Sequence, residues 1–357
     1  MKCRDIYGKF YNPTKILSYG KVLNFSIGSR SIGKSTGFAL FLLRDYIENG
    51  HQFIYCRRTK DELDKTCFNY FDNAVSILKS YGYEIGQFTY SGGEYMLDGV
   101  VCGYAIPLSL QQKYKSSNYS LVWWILYDEF MIDKASPNQR YLGGSGNAMA
   151  EVSAMVSLFQ TVDRGIGRAF RNETRIIFIG NAGTFFNPFF INYGIDQYLR
   201  PDTKYLSPKK DLYVLEATDE TEATKDIKES NGYLISPERV RSYAYDNRYA
   251  DLTDSDFIEK APEGMHKSIF NFVYDNHVYG VYQYPMAGYI FISDKACDGR
   301  TSISLTTSDH RPNYLMIRNY HTHPYTKLLK DMYDKGLVRF KNYKCKLVVD
   351  FYLKYDV

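Results

Sequence analysis

The segment from Gly28 to Ser35 has the residue spacing of a phosphate-binding loop. Its sequence, GSRSIGKS, satisfies the pattern G-x-x-x-x-G-K-[ST], follows an apolar run and opens a stretch with helical periodicity. Glycines let such a loop turn its backbone N–H groups towards phosphate oxygens, and the following helix adds its dipole. The sequence therefore predicts a nucleotide site built from nine consecutive residues: Gly28, Ser29, Arg30, Ser31, Ile32, Gly33, Lys34, Ser35 and Thr36.

An acidic pair, Asp128-Glu129, ends the apolar run LVWWILY at residues 121–127. Together with the Ser35 hydroxyl, Asp128 is the expected ligand of Mg²⁺, and Lys34 is expected to reach the β- and γ-phosphates of ATP. Glu129 would polarise the attacking water. The adjacent glutamate favours a hydrolytic ATPase of the additional-strand class over a nucleoside kinase. The alternative is a strand that simply ends in acidic residues at the surface.

A third apolar run, RIIFIG at residues 175–180, ends at Asn181. We expect this strand to lie between the two already described, so that Asn181 orients water or the γ-phosphate. The alternative is an asparagine that starts an ordinary turn. Arg164, Arg168 and Arg171 cluster just before this run, and each alone is most simply a surface charge. As a group they could supply an arginine finger to a neighbouring subunit.

The elements that must position these residues are α/β in pattern. Short apolar runs at 22–27, 53–56, 121–127 and 175–180 predict buried strands of a parallel sheet, and residues 34–49 predict a helix that stops at Asn49-Gly50. We therefore predict an ATPase domain over 1–200. Prolines and an acidic run without strand alternation predict a linker or small helical subdomain over 201–263. A hairpin or meander followed by a helix at 324–336 predicts an α+β domain over 264–357.

Composition sets broad limits on the function. The 357 residues suffice for two domains, and the net charge of +4 divides into two basic lobes around an acidic middle, which is compatible with contact to a polyanion. The six scattered cysteines contain no C-x-x-C pair, which predicts reduced thiols rather than disulfides or a zinc site. The absence of an apolar N-terminal segment and of a long apolar run predicts a soluble intracellular protein.

Several of these blocks, in this order, resemble the DNA-encapsidation ATPases of phi29-type short-tailed phages, which are similar to large terminase subunits. The resemblance is dense over residues 7–190 and looser after 264. The matching blocks are Tyr11-Asn12-Pro13, the loop Gly28–Ser35, residues 52–58 with Lys60, residues 105–109, Lys115-Ser116, Asp128-Glu129-Phe130, Phe170-Arg171-Asn172 and Asn181-Ala182 with Asn187-Pro188.

The resemblance implies an ATP- and Mg²⁺-dependent motor that forms a homomeric ring, typically a pentamer, at the portal of a procapsid in the host cytoplasm. Such a motor pumps double-stranded DNA inward and can use a structural packaging RNA. Arg171 becomes the arginine-finger candidate, with Lys115 a second cation acting on the neighbouring subunit. Arg57 and Arg58 would lie on the loop after the second strand and couple nucleotide state to Glu129. Lys60 on that loop would touch DNA phosphates, which needs charge but no sequence readout.

The resemblance also implies an RNase H-like fold for the C-terminal domain. A two-metal nuclease needs converging carboxylates, whereas Asp275, Asp294, Asp298 and Asp350 are scattered along this domain. We therefore interpret it as a vestigial nuclease that serves as a platform for nucleic acid and portal. The alternatives are a terminase-like protein with an active endonuclease, a helicase or partition-type ATPase, and a nucleotide-binding structural protein.

Overall fold

The chain forms two compact units, each with its own sheet. The computed structural model describes residues 6–29, 32–115, 118–132, 139–143, 149–164, 173–181, 187–195, 204–208, 212–218, 257–274, 276–304, 307, 309–316 and 323–353. Among these residues no helix is long and apolar enough to cross a membrane. The five cysteines in the described ranges are free and buried.

The first sheet has nine strands in the order β3-β4-β5-β2-β6-β7-β1-β9-β8, with a parallel centre from β5 to β9 and antiparallel edges. The predicted strands are confirmed. Strand β7 lies between β1 and β6, the position predicted for it. The strands are β1 (Leu23–Gly28), β2 (Gln52–Arg57), β3 (Phe88–Ser91), β4 (Glu94–Leu97), β5 (Val100–Pro107), β6 (Val122–Asp128), β7 (Arg175–Asn181), β8 (Tyr205–Leu206) and β9 (Tyr213–Thr218).

Helices cover the faces of this sheet, so the central strands are buried along their whole length. The predicted helix at 34–49 is confirmed, and Gly50 ends it with a left-handed φ of 73°. Among the described residues, the helices of the first unit are α1 (Thr14–Ser18), α2 (Lys34–Asn49), α3 (Lys60–Asp64), α4 (Asp72–Ser80) and α5 (Met149–Asp163), with a 3₁₀ helix at Leu108–Tyr114. Helix α6 (Pro188–Asn192) belongs to the second unit.

Strand β9 corrects one prediction. Residues 201–263 were expected to lack strands, yet β9 pairs in parallel with β1, and β8 pairs with β9. The sheet of the first unit therefore extends beyond the predicted boundary at residue 200. The pattern was missed because Glu216 interrupts the apolar run, and this buried carboxylate accepts hydrogen bonds from the hydroxyls of Tyr11 and Tyr205. The acidic run and the expected helix start, at 219–256, lie outside the described residues.

The second unit contains a six-stranded sheet in the order β14-β13-β10-β11-β12-β15. Its antiparallel meander β10-β11-β12 and the helix after it are confirmed, and the closing element is a second helix packed on the same apolar face. The elements are β10 (Lys267–Tyr274), β11 (His277–Tyr284), β12 (Tyr289–Ser293), β13 (Ser302–Ser304), β14 (Leu315–Met316), β15 (Val338–Phe340), α7 (Pro324–Asp334) and α8 (Tyr343–Leu353).

Helix α2 packs closely on the segment that precedes the sheet, and this contact generates a stability prediction. A Cβ added to Gly37 would lie 2.0 Å from the carbonyl oxygen of Tyr11. Gly37→Ala should therefore lower the free energy of unfolding by about 3 kcal/mol, although alanine usually stabilises a helix. Chemical denaturation measures the change.

The control is Gly50→Ala, whose Cβ would meet nothing within 4 Å. It adds only the strain of a left-handed residue, roughly 1 kcal/mol. A Gly37→Ala protein that is as stable as wild type, or more stable, would contradict the close contact.

Candidate active site

The phosphate-binding loop connects β1 to α2 at the carboxyl end of the parallel strands. Gly33 has a φ of 77°, and a side chain there would also collide with the ring of Phe10. The backbone N–H of Tyr11 donates to the carbonyl of Ile32, so the N-terminal segment braces the loop from outside. Gly28 and Ser29 begin the loop, whereas Arg30 and Ser31 lie outside the described residues.

Lys34 is buried at the start of α2, and its Nζ donates to the carbonyl oxygen of Ser29 at 2.9 Å. Burial lowers the pKa of its ammonium group to about 7, although the carboxylates of Asp128 and Glu216 act in the opposite direction. The Ser29 hydroxyl is also buried and has no hydrogen-bond partner among the described residues. A buried cation and an unpaired hydroxyl in a glycine-containing loop fit a polyphosphate ligand.

Ser35 is exposed at the first turn of α2, and Thr36 beside it is half-buried. The buried carboxylate of Asp128 ends β6. A hydroxyl and a carboxylate at the phosphate loop are oxygen donors of the kind that Mg²⁺ accepts, so Ser35 and Asp128 fit their predicted roles as metal ligands.

The carboxylates of Asp128 and Glu129 are held together by one arginine. Arg57 donates through Nη1 to Asp128 at 2.9 Å and through Nη2 to Glu129 at 2.7 Å. Tyr55 donates to the same Asp128 oxygen at 3.2 Å. Burial raises the pKa of Asp128; the charge of Arg57 opposes this shift, and the charge of Glu129 adds to it.

The backbone of Glu129 is unusual as well. Its φ is 53°, a left-handed value that few residues other than glycine adopt. Its side chain is half exposed, in contrast to the buried side chain of Asp128. The turn after β6 thus holds one carboxylate inside the protein and presents the next one to the outside.

Arg58 lies on the loop after β2, as predicted, whereas Arg57 lies one residue earlier, inside the strand. Arg57 is the last residue of β2, and both side chains are buried. The guanidinium of Arg58 is paired with Glu151. In this conformation neither arginine can touch DNA phosphates. Lys60 is exposed as the first residue of α3, so its predicted DNA contact stays a prediction.

The remaining predicted residues lie at different places in the first unit. Asn181 ends β7 and pairs in register with Gly28, at the start of the phosphate loop. Lys115 is exposed immediately after the 3₁₀ helix, and Arg164 is exposed immediately after α5. Arg168 and Arg171 lie outside the described residues. The roles proposed for these cations on a neighbouring subunit stay predictions.

Two features of the site escaped the sequence analysis. The first is the pair of buried carboxylates, Glu151 and Glu216, which the chain does not mark by any local motif. The second is a cavity of about 490 Å³ beside the phosphate loop. Residues of α1, β8 and β9 line this cavity, and one of them, Thr218, pairs in register with Gly28 at the start of the loop. The lining residues are Tyr11, Asn12, Thr14, Lys15, Ser18, Lys204, Tyr205, Glu216, Ala217 and Thr218.

Comparison with known proteins gives consistent matches over nearly the whole chain. The family model described as podovirus DNA encapsidation protein (Gp16) matches residues 7–357. The DNA packaging protein of Bacillus phage phi29 is 33% identical over 337 residues, which cover 93% of each chain. A solved bacteriophage phi29 genome packaging motor assembly aligns with a TM-score of 0.72 and 28% identity, over 97% of this chain and 99% of the other. The phi28 gp11 packaging motor shares the fold, with a TM-score of 0.61 and 18% identity over 97% of each chain.

The lowered pKa of Lys34 predicts that nucleotide binding depends on pH. Below the pKa of about 7 the ammonium is already charged in the free protein. Above it, a polyanionic ligand must draw a proton onto Lys34, so ATP affinity should fall with pH by up to about tenfold per unit. Calorimetric titrations with an ATP analogue near pH 8, in buffers of different ionisation enthalpy, should show uptake of nearly one proton.

The control is Lys34→Arg, because a guanidinium stays charged over this range. This variant should bind without taking up a proton, whatever its affinity. Wild-type binding at about pH 8 without proton uptake would contradict a neutral Lys34 in the free protein.

Proposed function

The chain belongs to the podovirus DNA encapsidation protein (Gp16) family, and we propose that it is a ring-forming ATPase that moves double-stranded DNA into a viral procapsid through the portal. One observation carries the proposal. The described residues of the phosphate-binding loop and the Asp128-Glu129 pair lie at the same edge of the parallel centre of one sheet, in a chain that matches phage packaging proteins over almost its full length.

Each residue at this edge has a chemical task in the proposed hydrolysis. Lys34 binds the β- and γ-phosphates, and the backbone of the loop donates to phosphate oxygens. Ser35 and Asp128 would hold Mg²⁺, which neutralises negative charge on the phosphates when it is bound. Glu129 orients the attacking water and accepts its proton. Asn181 ends the strand between β1 and β6 and would act as the sensor of the γ-phosphate. This strand order supports the additional-strand class of P-loop ATPases.

Arg57 supports the proposed coupling between nucleotide state and catalysis. While its guanidinium donates to Glu129 at 2.7 Å, that carboxylate oxygen is engaged by the arginine. A catalytic base must be free to contact water, so turnover requires Arg57 to release Glu129. We therefore assign Arg57 to coupling within the subunit and leave contact with DNA to Lys60.

The cavity beside the phosphate loop is suited to the base and ribose of ATP. It contains the ring of Tyr205, with the Nζ of Lys15 4.0 Å from the centre of that ring. An aromatic face and polar side chains next to a phosphate site are the usual lining of nucleotide pockets.

The proposed assembly is a homomeric ring, with five subunits as the expected number, that contacts portal, DNA and a structural packaging RNA. The solved phi29 motor assembly, which this chain resembles along 97% of its length, supports a multi-subunit motor. In such a ring each site is completed by a neighbour, for which Arg171 and Lys115 are the proposed cations. The motor would act in the host cytoplasm, at the portal vertex.

For the C-terminal unit we propose an RNase H-like platform without nuclease activity. An antiparallel meander whose first strand, β10, also pairs in parallel with β13 supports that fold. Asn271, in the middle of β10, is buried. Its side-chain Nδ2 donates to the carbonyl oxygen of Cys297, and its Oδ1 accepts from the backbone N–H of Cys297. Asp294 is ion-paired with Lys341. The described part of this unit contains no group of three or more metal-ligating side chains.

Removing the proposed base tests the hydrolytic assignment. Glu129→Gln should reduce ATP turnover by at least about 100-fold, because an amide cannot accept the proton of water. Binding of a fluorescent ATP analogue should stay within about threefold of wild type, since the phosphate loop is intact. Steady-state turnover in the presence of DNA and equilibrium binding measure the two quantities.

The matched control is Glu48→Gln, the same chemical change at an exposed position on α2. It should leave turnover unchanged. If Glu129→Gln hydrolysed ATP at the wild-type rate, Glu129 would not be the catalytic base. If wild type bound ATP without hydrolysing it, the protein would be a nucleotide-binding structural component rather than a motor.

Mixing inactive variants tests whether subunits share a site. In rings formed from Arg171→Ala and Glu129→Gln proteins, about a quarter of the interfaces at equal ratio should combine an intact Glu129 with an intact neighbouring Arg171. ATPase activity should therefore return on mixing. The control mixture of Lys34→Ala with Glu129→Gln should stay inactive, because both defects lie in the same half of the site. Mixed rings without any recovery would exclude Arg171 as the finger.

A further inference from the structure

A buried ion pair lies behind the turn that carries Glu129. The side chains of Arg58 and Glu151 are 1% and 0% exposed, and Nε of the arginine lies 2.9 Å from Oε2 of the glutamate. The Nη2 of Arg58 donates to the carbonyl oxygen of Phe130 at 2.8 Å and lies 3.3 Å from the carbonyl oxygen of Glu129. One guanidinium therefore connects helix α5 to the backbone of the catalytic turn.

The backbone that Arg58 contacts is in a conformation that needs support. A left-handed residue other than glycine is unfavourable by about 1–2 kcal/mol and persists when its surroundings hold it. Among the described residues other than glycine, Glu129 shares a positive φ with only Asp98 and Asn276. The carbonyl oxygens of Glu129 and of the next residue, Phe130, both accept hydrogen bonds from Nη2 of Arg58.

Glu151 is itself fixed from three directions. Besides Arg58, it accepts hydrogen bonds from the hydroxyl of Tyr127 at 2.6 Å and from the backbone N–H of Leu142 at 2.8 Å. The aromatic ring of Tyr141 lies against the Arg58 guanidinium, with 5.3 Å between their centres. A buried ion pair gains little stability over apolar packing, so its presence here is better explained by the geometry that it imposes.

We propose that Arg58 and Glu151 are positioning residues for hydrolysis: they hold the Glu129 turn in its left-handed form, so that this carboxylate faces the nucleotide. The inference rests on the proposed ATPase function. The inference assigns different roles to the two consecutive arginines. Arg57 binds the side chains of the acidic pair and must release them, whereas Arg58 binds the backbone and stays in place through the cycle.

The experiment compares Arg58→Lys and Glu151→Gln with wild type in three measurements. A lysine keeps the charge but has a single Nζ, which cannot bond to Glu151 and to both carbonyls at once. We expect kcat to fall at least about tenfold in each variant, with KM for ATP close to wild type. The midpoint of thermal unfolding should fall as well, because each substitution leaves a buried charge without all of its partners. Hydrogen–deuterium exchange should rise in the peptide that covers residues 127–132, because the turn is no longer held.

The matched control is Arg44→Lys, the same substitution in a surface ion pair with Glu48. It should change neither kcat nor exchange at residues 127–132. If both test variants fail to fold, Tyr127→Phe removes one bond to Glu151 and should give a smaller loss of kcat at unchanged KM.

The outcomes separate this inference from the proposed function. Unchanged kcat and unchanged exchange in the folded variants would overturn the positioning role. A rise in KM of about tenfold with kcat preserved would also overturn the positioning role, because that result indicates a role in binding ATP. If wild type hydrolyses no ATP but the variants still raise exchange at residues 127–132, the proposed function fails while the structural role of the pair stands.

Discussion

The site depends on one electrostatic constraint: two adjacent carboxylates, Asp128 and Glu129, lie at the end of a buried strand and need a cation between them. In the present conformation Arg57 supplies that charge with both arms of its guanidinium. A divalent metal at the phosphate loop would bring positive charge to the same place. On the proposed function, the arginine and the metal would compete for Asp128, and this competition would link nucleotide binding to the release of Glu129.

Strand order explains why an arginine on β2 can perform this task. Strand β6 lies directly between β2 and β7, and Cys56 pairs in register with Tyr127, so the residues that follow each are neighbours at the carboxyl edge of the sheet. Arg57 ends β2 and Arg58 is the first residue after it; Arg57 contacts the side chains of the turn after β6, and Arg58 contacts its backbone.

The sequence predicts well what is local. Four buried strands and helix α2 follow from periodicity within short windows, and these elements are confirmed. The phosphate-loop motif and the acidic pair follow strands β1 and β6, as their spacing predicts, and their chemical roles stay predictions. The residues that hold the site in place follow from long-range contacts instead. Arg58 and Glu151 are 93 positions apart, and Tyr11 and Glu216 are 205 apart. Strand β9 was missed for the same reason. A charged residue such as Glu216 within an apolar run indicates a solvent-exposed segment unless its distant hydrogen-bond partners are known. The burial of Arg57 and Arg58 likewise depends on distant partners, the acidic pair and Glu151, which no local pattern indicates.

The most direct test of the account is a structure of the protein with Mg²⁺ and a non-hydrolysable ATP analogue. The account predicts that the metal is held at Ser35 and Asp128, that Nη1 of Arg57 has left Asp128, and that Arg58 still donates to the Phe130 carbonyl. A metal and triphosphate bound at the loop while Arg57 remains between Asp128 and Glu129, at the distances found here, would contradict it.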